Sequence, residues 1–78
     1  MTFAENLKML RKQAGMSQEQ LAEKLGVSRQ AVTKWETGAG IPDIENIMAI
    51  SMLFDISIDD LLSNERDSKK VVETEYLY

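Results

Sequence analysis

The sequence predicts an all-α domain of five short helices followed by a short C-terminal tail. Three observations carry that prediction. Apolar residues recur at three- and four-residue spacings through the first 62 positions, short polar residues suited to helix capping precede the second to fifth periodic stretches, and glycine or proline punctuates the first three gaps between them. With 78 residues, of which 44% are apolar, the chain has material for one helical core and no second one.

The first helix follows from Phe3, Leu7, Leu10 and Ala14, with Gly15 as its stop. Ser17 and Gln20 form a capping-box pair ahead of Leu21, Ala22 and Leu25, which give a second helix of about nine residues ending at Gly26. Ser28 offers a new cap two positions later, so a tight turn joins the second helix to a third that runs to Thr37. After the loop Gly38-Ala39-Gly40-Ile41-Pro42, Asp43 starts a fourth helix whose expected buried side is Ile44, Ile47, Ile50 or Ser51, and Phe54. Ser57 caps a last helix with Ile58, Leu61 and Leu62. The domain is thus expected over 1–62 and the tail over 63–78. In an extended tail Val72, Thr74, Tyr76 and Tyr78 would share one face, which suits either a frayed end or an arm that pairs with a second subunit.

The composition excludes most chemistry. There is no histidine and no cysteine, which removes the usual acid-base residue near neutral pH, the soft metal ligands and any disulfide framework. No catalytic residues, metal site, cofactor or small-molecule ligand are expected, and the chain is not expected to be an enzyme. The amphipathic start and the lack of a long apolar run predict neither a signal peptide nor a membrane span, and so a cytoplasmic protein.

Net charge is −4, yet it is unevenly spread. Residues 1–38 carry six basic and four acidic side chains, and residues 39–78 carry three basic and nine acidic ones. A polyanion responds to the local field at the contacting face, so only the first half suits one. Within it, Arg29, Gln30, Thr33 and Lys34 fall on one arc of the third helix, opposite Ala31, Val32 and Trp35. Arginine and lysine donate to guanine O6 and N7, glutamine pairs with adenine N6 and N7, and a threonine methyl meets that of thymine. Any surface helix has a polar side; the further observation is the pair of short capped helices joined by a glycine turn, with long donors at the start of the second.

The run from Gly15-Met16-Ser17-Gln18 through Leu25-Gly26-Val27-Ser28-Arg29-Gln30 to Trp35-Glu36, with the Pro42-Asp43-Ile44 helix start and the Ser57–Leu62 closing helix, resembles the Cro/phage-repressor (XRE-like, Cro/C1-type) helix-turn-helix family from Leu7 to Leu62. The resemblance implies a five-helix lambda-repressor-like domain that reads the DNA major groove with helix 28–37. It implies base reading by Arg29, Gln30, Thr33 and Lys34, and phosphate binding by Ser17, Gln18, Ser28 and Thr37. Gln18 would also brace the first side chain of the reading helix. Arg11 and Glu36 would form an ion pair between the first and third helices, and Trp35, on the apolar side, would belong to the core. The loop Gly38-Ala39-Gly40 departs from the family in lacking a basic residue, which implies fewer phosphate contacts and a gentler salt dependence. The implied partners are double-stranded DNA with a pseudo-palindromic operator and a second copy of the chain, for transcription regulation as a repressor. A different reading of the acidic second half is an antitoxin-like or antirepressor-like subunit that binds a protein partner.

Overall fold

A computed structural model describes residues 2–63, and within them the chain forms α1 (Phe3–Gln13), α2 (Gln18–Leu25), α3 (Arg29–Thr37), α4 (Ile44–Phe54) and α5 (Ile58–Leu62). Apart from Ser63, the expected tail and its possible pairing arm lie outside the described residues.

Each helix starts on an extended residue whose side-chain oxygen accepts an N–H from the first turn: Thr2, Ser17, Ser28, Asp43 and Ser57. For α1 and α2 the cap is reciprocal, with Glu5 and Gln20 accepting the backbone N–H of Thr2 and Ser17. Such caps satisfy donors that a helix cannot use itself, and each stabilises its helix by about 1 kcal/mol. Gly26 ends α2 at φ +72°, in the left-handed region that a side chain would strain, and the Val27 N–H donates back to the Ala22 carbonyl at 3.0 Å. That closure fixes the three-residue turn before α3.

Leu7, Leu21, Ala22, Val32, Trp35, Ile47, Ile50 and Leu61 form one buried cluster fed by all five helices. Through it α3 packs chiefly on α2 and α1, while α5 bridges α1 and α4. Trp35 is 7% exposed, which places the indole in the core.

The expected inner side of α4 needs correction at one position. Ile47 and Ile50 are buried and Phe54 and Ser51 are half-buried, but Ile44 is 62% exposed. The helix is apolar around most of its circumference, so spacing alone did not identify the side that faces the core. Ala14, expected on the inner side of α1, instead ends that helix in solvent.

Candidate nucleic-acid interface

α3 is anchored along one side and open along the other. Val32 and Trp35 lock it into the core, leaving Arg29, Gln30 and Lys34 exposed on the opposite side. The Ser28 hydroxyl accepts the Ala31 N–H at 3.1 Å, so its own proton remains available to an acceptor in solvent. The first backbone N–H groups of a helix also point outward without partners inside it, giving this end of α3 a partial positive charge. Long donors, a hydroxyl and a positive helix end thus converge on one exposed edge.

A buried polar cluster sets the rotation of α3 about its own axis. Glu36 accepts from Arg11 Nε at 2.7 Å and from Arg11 Nη2 at 3.1 Å, a two-pronged contact between α3 and α1. Arg11 Nη1 donates to the Met16 carbonyl at 2.8 Å, fastening the turn before α2. Gln18, the first residue of α2, donates from Nε2 to Glu36 Oε1 at 3.1 Å and accepts the Thr33 hydroxyl on Oε1 at 2.8 Å. Since a carboxylate only accepts, the Glu36 contact fixes which end of the Gln18 amide faces Thr33. Three helices meet at one carboxylate.

The side chains singled out from the sequence therefore divide into two groups. Arg29, Gln30 and Lys34 are exposed donors on a common face, with Ser17, Ser28 and Thr37 exposed at helix ends. Ser17 is occupied by its capping box and the Thr37 hydroxyl donates to the Lys34 carbonyl at 3.2 Å. Thr33 and Gln18 are half-buried and hydrogen-bonded to each other. The brace expected from Gln18 to the first side chain of α3 is made one turn further along, to Thr33. Sequence reasoning missed that link, although Thr33 and Glu36 lie three apart and so share a strip of the helix.

A compact helical domain that presents a capped, donor-bearing helix across a glycine turn from its predecessor is a helix-turn-helix unit. The family model described as helix-turn-helix matches residues 7–61, and the chain belongs to that family. It is 51% identical over 65 residues to the HTH-type transcriptional activator BcrR of Enterococcus faecalis, covering 83% of this chain and 32% of that protein. It is 38% identical over 61 residues to the cryptic phage CTXphi transcriptional repressor RstR of Vibrio cholerae serotype O1, covering 78% of this chain and 54% of that protein. The chain therefore spans from just under a third to a little over half of these relatives' length. Among solved structures it is similar to the P22 c2 repressor protein in complex with a synthetic operator, with a TM-score of 0.77 and 32% identity over 81% of this chain and 96% of that one. Among the described residues no helix is long and apolar enough to cross a membrane.

Proposed function

We propose that the chain is a sequence-specific double-stranded DNA-binding regulator of transcription that acts as a repressor and reads the major groove with α3. The observation that carries this reading is the division of α3 into a side locked by Val32, Trp35 and Glu36 and an exposed side bearing Arg29, Gln30 and Lys34. A helix fixed in rotation can present hydrogen-bond donors to base edges in a constant register, which sequence reading requires.

In this reading Arg29 and Gln30 contact bases first, Lys34 follows a turn later, and Thr33 offers its methyl because its hydroxyl is committed to Gln18. Ser17 and Ser28 hold phosphates from helix ends with the protons that their capping contacts leave free, Thr37 does so by turning its hydroxyl away from the Lys34 carbonyl, and Gln18 does so with the second hydrogen of its amide. Occupying a site is the simplest regulatory act of a groove-reading domain, which favours repression. Two copies bind a pseudo-palindromic operator as a homodimer, with half-sites about 34 to 36 Å apart. The protein works in the cytoplasm without catalysis, cofactor or small-molecule ligand.

The test is selection of bound sequences from a randomised duplex library, run with the natural chain, Arg29→Ala and Gln30→Ala. A two-fold motif is expected, relaxed at separate base pairs in the two variants, with affinity falling by about 1 to 3 kcal/mol each. An unchanged preference in both variants would remove Arg29 and Gln30 from base reading. Absence of any enriched motif would overturn the function.

A further inference from the structure

The first turn of α1 and the end of α3 enclose a cavity of about 560 Å³, partly open to solvent and lined by residues 2–5, 35–38, 40 and 41. Its volume falls within the range of small-molecule sites. Phe3, Trp35 and Ile41 supply its apolar wall, and Ile41 is 72% exposed. Ile44, Met48 and Met52, exposed at every fourth position of α4, form a ridge outside this lining.

The polar part of the wall is made of acceptors. The Lys34 carbonyl takes the N–H of both Gly38 and Ala39, so the carbonyls of Trp35, Glu36 and Thr37 accept no hydrogen bond among the described residues, and together they form the negative end of α3. Glu5 adds a carboxylate engaged only through Oε1, by the Thr2 N–H at 3.0 Å. The positive end of α1 borders the cavity as well, but Glu5 stands in that first turn and answers its charge. No basic side chain belongs to the lining. Gly40 leaves room beside it: a Cβ there would meet nothing within 4 Å, and the backbone is not in the left-handed region.

We infer that this cavity binds a small organic cation, a primary ammonium on a short apolar body. The three N–H donors of an ammonium match the three free carbonyls in number. Glu5 supplies the opposite formal charge, and Phe3, Trp35 and Ile41 receive the apolar body, the two aromatic side chains adding to the attraction for a cation. An anion would meet a carboxylate and a negative helix end. A neutral molecule of the same shape would bury apolar surface but leave that charge unanswered.

The site is separate from the reading of DNA, which works without a ligand: Arg29, Gln30 and Lys34 take no part in the lining. A bound cation ties the first turn of α1 to the end of α3, and a ligand that binds only the folded chain raises its stability. The walls come from two distant stretches of the chain, which is why helical periodicity does not reveal the cavity.

Titration of the full chain with 3-methylbutylammonium at about 0.15 M salt, beside its neutral counterpart 3-methyl-1-butanol and the anion 4-methylpentanoate, tests this without DNA. Trp35 is the one tryptophan of the chain, so its fluorescence and its indole N–H resonance report on the cavity directly. The expected result is saturable binding of the cation with Kd on the order of 1 mM, amide shifts confined to residues 3–5 and 35–41, and a thermal midpoint that rises with the cation alone. Glu5→Gln keeps the helix cap, since Gln20 fills the same place in the cap of α2, and should weaken binding by about three- to fivefold. Ile41→Ala should weaken it by about threefold with unchanged urea unfolding, whereas Met52→Ala, outside the lining, should leave it intact. Equal response to the alcohol or the anion, or no saturable change with the cation, would overturn the inference. So would an equal loss in Asp59→Asn, an exposed carboxylate on α5 outside the lining, because binding would then be a general attraction to an acidic chain.

Discussion

The region from α1 to α3 and the region of α4 hold themselves in place by different means. In the first, Arg11, Gln18, Thr33 and Glu36 make hydrogen bonds between helices, each with defined direction. In α4 the side-chain hydrogen bonds stay local, Asp43 capping the helix and Ser51 turning back to the Met48 carbonyl at 2.8 Å, while Ile47 and Ile50 hold it to the core. Apolar packing is strong but weakly directional, whereas hydrogen bonds to a charged group fix an angle. The helix that must present side chains in register is the one given the directional restraints.

The sharpest way to break this contrast is Glu36→Ala. It leaves the Arg11 guanidinium buried without its carboxylate, and loss of one partner of a buried pair costs about 3 to 5 kcal/mol, a large share of the roughly 5 to 15 kcal/mol that holds a domain folded. Urea unfolding should show that loss. Met52→Ala, a truncation on the exposed ridge, should stay within about 0.5 kcal/mol. The double replacement Arg11→Met with Glu36→Leu then separates stability from orientation, since apolar substitutes for a buried pair often restore stability. The expected double variant is folded with a blurred base preference; a preference as sharp as in the natural chain would show that core packing alone sets the rotation of α3.

Asn6 makes the comparison sharper on the side of α5. It is fully buried, and its amide donates to the Leu61 carbonyl at 2.9 Å and the Ser63 carbonyl at 3.1 Å. This polar tie fixes the end of α5 against α1. Asn6→Ala should cost about 1 to 3 kcal/mol because buried carbonyls lose their donor. Hydrogen exchange should show the amides of α5 opening first, with those of α3 keeping their protection. Uniform loss of protection across both helices would mean that α5 is not a separate unit of stability.

Glu36 and Asn6 also mark where the sequence was and was not legible. The helices, their serine and aspartate caps and the glycine after α2 could be read directly, because each is a local device with a local cause. The polar ties between helices join residues 15 to 57 apart, and no periodicity encodes such a pairing. Asn6 did leave a trace, since it interrupts the apolar strip of α1 between Phe3 and Leu10, where a polar residue needs a buried partner. Ile44 failed for the opposite reason: α4 carries apolar residues on both its inner and its outer side, so the same spacing fits either side.

The smallest expected effect lies at the end of α4, where Asp55 takes the left-handed conformation at φ +55°. Glycine fills the corresponding positions after α2 and α3. Two liabilities coincide at Asp55: a side chain in a conformation that glycine adopts freely, and a carboxylate at the negative end of a helix. Asp55→Asn removes the charge and retains the side chain, so it should gain about 0.3 to 1 kcal/mol at low salt, fading as salt rises. Asp55→Gly relieves the backbone as well, but that gain is offset by roughly 0.5 to 1 kcal/mol of extra freedom in the unfolded chain. Thermal unfolding of both variants at low and high salt separates the two contributions. If the asparagine variant gains as much at high salt as at low, charge is not its cause. If it gains only at low salt, the charge that Asp55 places at the negative end of α4 carries a stability cost of its own.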